Sequence, residues 1–259
     1  MDNINFIVFL QKFFIMKQDK THTTKRTKKK FSFKKIFKYF GIAVFVYFLW
    51  TILITFAYKW INPPITILMI QRCMEQAFSS DREVRLQKTW VKYEDISENM
   101  IVAVIAAEDQ NFPNHKGFDF KAIGNATKIN KQRGKKAFGG STISQQTAKN
   151  AFLFVQKSYI RKGLEAWHTV LMETFWSKRR IMEVYLNIIE FGDGIYGVEA
   201  ASQHYFHHSA KHLSKREAAL LTSVLPSPLK RDPSKPTPYL NRRSAKIQSF
   251  MRIIGKPRI

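Results

Sequence analysis

The sequence predicts a mostly α-helical domain carried behind one N-terminal transmembrane helix. Tyr39–Tyr58 is a run of twenty residues without a charge, rich in Phe, Ile, Val, Leu and Trp. Beyond it, apolar residues recur at helical spacing in successive segments, two of them opened by Ser97 and Thr142. No βαβ alternation, internal repeat or low-complexity tract interrupts them. With 259 residues, the chain has room for one sizeable core or two small domains.

The elements follow in order. Residues 1–38 form a basic arm, with ten Lys and Arg between Lys17 and Lys38. Its first part, Ile4 to Ile15, is apolar except for Asn5, Gln11 and Lys12, and too short to span a bilayer. The arm and span follow Met16 directly, so residues 1–15 read either as upstream of the true start or as a weak interfacial segment. At 1.5 Å per residue the run 39–58 covers ~30 Å, the thickness of a hydrocarbon core. The Lys and Arg before it bias the N-terminus toward the cytoplasm, which puts residues 62–259 on the periplasmic side of the inner membrane. A cleaved signal peptide fits less well, because the run is long and no small-residue cleavage site follows.

After the span, Pro63-Pro64 open a helix to about Phe78, with Ile67, Ile70, Cys73, Met74 and Ala77 on one side. Residues 82–93 alternate weakly, as an extended stretch or short hairpin. Ser97 caps an apolar helix ending at Glu108. Residues 113–138, rich in Gly, Lys and Arg, read as a mobile basic insert. Helices then cover about 142–153, 159–176, 178–190, 195–206 and 214–224. Cys73 is the one cysteine, so no internal disulfide exists, and it reads as a small buried hydrophobe.

Charge narrows the function. Forty-three Lys and Arg against nineteen Asp and Glu give +24, which suggests nucleic acid or an anionic membrane. Without residues 1–38 the chain still carries +15. A domain exported past a bilayer meets lipid head groups rather than nucleic acid.

The candidate site residues cluster in three places. Met100–Ala107 is uncharged and meets Glu108, so this carboxylate emerges from a core, a setting in which Glu serves as a general base. Gly139-Gly140-Ser141-Thr142 runs into a capping box, Thr142-x-x-Gln145, that opens a helix. On it Gln145 and Lys149, and Gln146 and Asn150, are four apart and share adjacent faces. A helix N-terminus behind glycines, with a lysine following, suits a polyanion such as pyrophosphate. Arg161 and Glu165 are four apart on the next helix, whose stripe Ile160, Leu164, Trp167, Leu171 and Phe175 faces a core. A solvated ion pair is the plain alternative for Arg161 and Glu165. The segment Ala151–Val155 reads as core or as lipid contact.

These segments resemble the family 51 glycosyltransferases, the peptidoglycan polymerases, and among them the monofunctional type. The resemblance rests on Ala107-Glu108-Asp109-Gln110 through Gly117-Phe118-Asp119, the Gly-Gly-Ser-Thr stretch, and Arg161-Lys162-Gly163-Leu164-Glu165. It continues through Lys178-Arg179-Arg180-Ile181 to Leu186-Asn187, Phe191-Gly192-Asp193-Gly194 to Ala201, and Glu217-Ala218-Ala219-Leu220 to Pro226. The blocks stand in the family's order over roughly residues 62–240.

The resemblance implies a lysozyme-like fold with a smaller membrane-facing lobe. It also implies polymerisation of lipid II onto a nascent glycan strand, with undecaprenyl pyrophosphate leaving. Glu108 matches the family's base, and Glu165 its second carboxylate, acting on the leaving group or on a divalent cation, Mg²⁺ or Mn²⁺. Lys149 and Arg161 match the basic residues that face pyrophosphate; Ser141, Thr142, Gln145, Gln146 and Lys162 match cleft-lining positions. Lys157 stands where the family usually has arginine, keeping charge but losing the bidentate fork. Asn187 and the Gly192–Gly197 loop read as structural. Membrane lipids, and cell-division or elongation proteins, are the other partners implied.

Two other readings share features with this one. A lysozyme-type hydrolase has the fold and a catalytic Glu but no need for Lys149 and Arg161; a membrane scaffold gives the ordered motifs no reason to coexist. A penicillin-binding protein would need a transpeptidase, for which the residues after Pro226 are too few.

Overall fold

The computed structural model describes residues 33–132, 134, 140–156, 158–257 and 259. Most of the basic arm, residues 1–15, Met16, Gly139 and Lys157 lie outside the described residues. The chain divides into two units, one ending at Val46 and one running from Tyr47 to Ile259.

Helix α1, Phe33–Ala57, is 25 residues long with a mean hydropathy of 2.2 over its most apolar window. It starts six residues before Tyr39 and so includes Lys34, Lys35 and Lys38. Only 11% of that window is buried, and Phe40, Phe45 and Trp50 stand outward. A soluble core helix would hide those rings, so α1 is suited to lipid and associates the chain with a membrane.

Helix α2, Ile67–Ala77, begins later than Pro63-Pro64 because Thr66 is the cap, its hydroxyl accepting from Met69 N at 3.3 Å. Lys88 instead takes the carbonyls of Pro63 and Pro64. The expected apolar side of α2 faces outward: Ile70 and Met74 are exposed and Cys73 half-exposed, while Leu68, Met69 and Gln76 are buried. Helix α3, Glu98–Glu108, is capped by Ser97, and Met100 through Ala106 are all buried. Residues 120–132 form helix α4, Phe120–Gln132, rather than a structureless insert. Asp119 starts it by accepting Ala122 N at 2.8 Å, which holds that carboxyl below its ordinary pKa. No side chain of α4 is buried.

Helices α5 (Ile143–Phe152), α6 (Tyr159–Phe175), α7 (Lys178–Ile188), α8 (Val198–Phe206) and α9 (Lys215–Val224) follow the expected order. Residues 195–197 are not helical. β1 (Gln87–Lys88), β2 (Glu190–Gly192) and β3 (Ile195–Tyr196) make a small sheet in the order β1-β3-β2. β1 runs parallel to β3, with Gln87 opposite Ile195, so residues 82–93 supply a strand and no hairpin. Gly194 has φ 71°, and a Cβ there would stand 2.4 Å from Arg85 O, so the turn requires glycine. Asn187 is fully buried and clamps Val91 from both sides, its amide oxygen accepting Val91 N and its amide nitrogen donating to Val91 O, each at 2.9 Å.

A final helix, α10 (Pro238–Ile254), was not expected; Thr237 caps it and Pro238 fills its first turn. It packs on α3 and α9. The stripe on α6 has a different partner from the one expected. Ile160 is exposed, and Trp167 and Phe175 stack edge-on against Phe48 and Phe56 of α1. The buried face of α6 is Glu165, His168, Thr169, Leu171 and Met172, so of the expected stripe Leu171 is buried. Ala151–Val155 divides: Ala151 and Leu153 are buried, Phe152 lies between Tyr58 and His168, and Phe154 and Val155 are exposed.

Candidate active site

Glu108 is the last residue of α3 and is half-buried. Its Oε2 accepts from Gln146 Nε2 at 2.9 Å. Gln146 Oε1 in turn accepts from the Tyr185 hydroxyl at 3.2 Å, which fixes the direction of the amide. Complete burial, with the charges of Glu108 and Asp109 nearby, pushes the Tyr185 phenol well up, so it stays a donor.

The next residue, Asp109, connects α3 to α5. Its buried Oδ2 accepts from Ile143 N and from His115 Nε2, each at 2.9 Å. His115 Nδ1 accepts from Gly117 N at 3.0 Å, which leaves the proton on Nε2. Thr142 Oγ1 donates to Gly117 O at 2.6 Å and accepts from Gln145 N at 3.2 Å; Gln145 Oε1 returns to Thr142 N at 3.1 Å. The capping box therefore forms as the sequence indicated. It also closes the start of α5 to an outside anion: two first-turn amides are taken by Asp109 and Thr142. Positive charge on the cleft comes instead from side chains further along α5 and on α6.

Those side chains are Lys149, Arg161 and Lys162. Ser158 caps α6 through Arg161 N, and Arg161 Nη1 then reaches Glu165 Oε2 at 2.8 Å. Lys162 Nζ holds Oε1 of the same carboxylate. Glu165 is 3% exposed, so this is a buried ion pair and not a solvated one. Burial pushes the Lys149 ammonium's pKa down; both Glu165 and Glu108 pull it up, while Arg161 and Lys162 oppose them. Lys149 therefore lies within reach of the charge of both candidate carboxylates.

A cleft of about 1060 Å³ is lined by Ser141, Gln145, Gln146, Lys149, Arg161, Lys162 and Glu165. Arg72 and Glu190 also line it, as do Ile123 and Thr127 of α4. Glu108 and Thr142 are not in that lining: Glu108 is reached through Gln146, and Thr142 is the cap of α5. Sequence reasoning missed Asp109's link, Tyr185, Arg72 and Arg243, whose Nη2 lies 3.8 Å from Glu108 Oε1. The cap signal at Thr237-Pro238 could have placed Arg243 on a helix, but nothing local pairs it with Glu108.

The divalent cation fits this donor set poorly. Each Glu165 oxygen already meets a cation, and among the described residues no three His, Cys, Asp or Glu side chains gather to hold a metal ion.

A family model described as Transglycosylase matches residues 75–252, a stretch that holds every site residue from Glu108 to Arg243. The chain belongs to the transglycosylase family. It is 45% identical over 223 residues to the biosynthetic peptidoglycan transglycosylase of Pseudomonas fluorescens (strain SBW25), covering 86% of this chain and 89% of that one. The protein of that name from Shewanella oneidensis is 46% identical over 223 residues, covering 86% of this chain and 94% of its own. The Pasteurella multocida protein of that name is 46% identical with 86% and 89% covered. Membership makes the chain a glycosyl-transferring enzyme, in agreement with the motif blocks.

Proposed function

We propose that this transglycosylase polymerises lipid II into β-1,4 glycan strands by a single inverting displacement. The observation that carries the reading is a carboxylate, Glu108, set beside a cationic cleft beyond the end of an apolar helix. Glu108 takes the proton of the acceptor sugar's 4-hydroxyl. That oxygen forms a bond to the donor's anomeric carbon. The bond from that carbon to the pyrophosphate oxygen breaks, and its electron pair leaves with undecaprenyl pyrophosphate. Lys149, Arg161 and Lys162 face the departing charge, a role for fixed cations in a partly dry site. Buried Glu165 holds Arg161 and Lys162 in place. A Mg²⁺ or Mn²⁺ requirement would belong to the substrate's own pyrophosphate, since Glu165 has no free oxygen.

The exposed apolar residues Ile70, Met74, Phe78, Phe154, Tyr159 and Ile160 support a membrane-facing lobe that meets the substrate's lipid tail. Lys34, Lys35 and Lys38 at the start of α1 support an N-terminus in the cytoplasm and a catalytic domain outside the inner membrane. Division or elongation proteins are further partners in this reading. Detergent-solubilised protein given labelled lipid II should form strands. Glu108→Gln should fold and lose ~10²–10⁴-fold of the rate, because an amide takes no proton. Wild-type polymerisation by that variant would reduce Glu108 to a structural carboxylate, and cleavage of finished strands without lipid II consumption would replace synthesis with hydrolysis.

A further inference from the structure

Helix α10 has a face that neither the core nor the proposed chemistry uses. Its buried side is Leu240, Ser244, Ile247 and Met251, and the helix packs on α3 and α9. Beside that side, Tyr239, Arg242, Lys246 and Phe250 follow at steps of 3, 4 and 4 and so form a second stripe. At the rise of a helix the stripe is about 16 Å long. Arg242 and Lys246 are exposed, Tyr239 is 46% exposed and Phe250 is half-buried. Lys246 Nζ stands 5.7 Å from the centre of the Phe250 ring, and the Arg231 guanidinium 4.7 Å from that of Tyr239. Cations and rings therefore alternate along the surface. The charge is not balanced locally: residues 226–254 hold seven Lys and Arg against one acid, Asp232, which accepts from Ser234 N and Oγ. Among the described residues, Arg243 is the one cation of α10 in an ion pair.

We propose that this stripe is a docking surface for the peptide-bearing glycan strand: Arg242 and Lys246 meet carboxylates of its peptides, and Tyr239 and Phe250 meet the faces of its sugars. The inference rests on the proposed polymerisation of lipid II. A strand of that kind presents uncharged rings and, at intervals, carboxylates, and a row of interleaved rings and cations is complementary to both. The stripe is also continuous with the site. Arg243, next in the chain to Arg242, comes within 3.8 Å of Glu108, and Leu229 and Lys230, just ahead of α10, line the cleft. A bilayer with anionic head groups is the other polyanion within reach of an exported domain. The exposed apolar residues that suit a bilayer, however, stand on α2 and around the start of α6, and of α10 only Ile253 and Tyr239 are large, apolar and exposed.

The test is direct binding by full-length protein in detergent. The probes are purified, uncrosslinked glycan strands with their peptides, the same strands stripped of peptides, and vesicles of anionic phospholipid. Wild type should bind the peptide-bearing strands more tightly than the stripped ones, and added salt should narrow the gap. Arg242→Gln combined with Lys246→Gln keeps two helix-forming side chains and removes two charges. Its Kd for peptide-bearing strands should rise about fivefold or more, and its preference over stripped strands should shrink. Lys215→Ser combined with Arg252→Ser removes the same charge from exposed positions off the stripe and should leave that Kd unchanged. Tyr239→Ala should weaken both kinds of strand, and Tyr239→Phe neither. Equal binding of the two strands by wild type would overturn the inference, as would an equal loss in the two double variants. A loss in Arg242→Gln, Lys246→Gln confined to the vesicles would assign the stripe to lipid head groups and overturn it as well. Labelled lipid II given to wild type separates the two readings. If no strands form, the proposed function falls and this inference with it; if strands form but the stripe variant binds them as wild type does, this inference alone falls.

Discussion

His168 has no part in the chemistry proposed, yet it makes the protein sensitive to acid. Its ring lies 4.4 Å from that of Phe152 at an interplanar angle of 6°, and its buried Nδ1 has no hydrogen-bond partner among the described residues. Burial pushes its pKa down to about 4. In the unfolded chain the ring takes a proton near pH 6.5, whereas the folded protein refuses it until about 4. The unfolded state therefore binds more protons across that window, and stability falls as the pH drops through it. The full loss is about 3 kcal/mol, reached near the lower limit. His168→Phe keeps the stack and removes the titration, so its melting temperature should fall less between pH 7 and 4.5 than that of wild type. An identical pH slope in both proteins would place the acid sensitivity elsewhere. The same scale shows what the chain discloses before it folds. Glu108, Lys149, Arg161 and Glu165 could be placed on their helices because each is a charge at a defined step in a helical pattern, while their roles came only from the resemblance of the motif blocks. Asp109 and Tyr185 were not, because their partners Ile143 and Gln146 lie 34 and 39 residues away.

At the scale of elements, caps proved more informative than stripes. Thr142-x-x-Gln145 specified α5 because both halves of the box are local. The apolar stripes of α2 and α6 told which residues share a face but not what covers it. Core, a neighbouring helix and lipid all select the same side chains, so one stripe turned outward and the other turned to α1. Strand β1 was faint because its partner, β3, is more than a hundred residues away and each strand is two residues long. Thr142 links the cap to the site, since its hydroxyl also holds Gly117 O. Thr142→Val keeps the shape and loses both bonds, leaving a buried carbonyl unpaired; the cost should be ~2–4 kcal/mol. Thr142→Ser should recover most of it. Thermal unfolding of the three proteins in one detergent checks this, and equal midpoints for Val and wild type would show the cap to be dispensable.

The whole molecule joins a hydrocarbon-length helix to a domain that keeps part of that helix as its own. Trp167 Nε1 donates to Thr51 Oγ1 at 3.0 Å and Trp176 Nε1 to Thr55 O at 2.8 Å, so residues 47–57 of α1 are packed against α6. The second unit therefore begins within α1 and not beyond a slack tether. Its side of the membrane decides whether the cleft can meet the substrate proposed for it, whose lipid tail would lie in the outer leaflet. The ten Lys and Arg between Lys17 and Lys38 argue for a cytoplasmic N-terminus, because basic flanks resist transfer across the membrane. A reporter that is active only outside the cytoplasm should then work when fused after Ile259 and fail when fused near Lys30. Replacing the basic residues of the arm with Gln or Ser should weaken that contrast, since it removes the bias without touching the domain. A fusion after Ile259 that reports the cytoplasm would reverse the topology, and the proposed polymerisation of lipid II would lose its access to substrate.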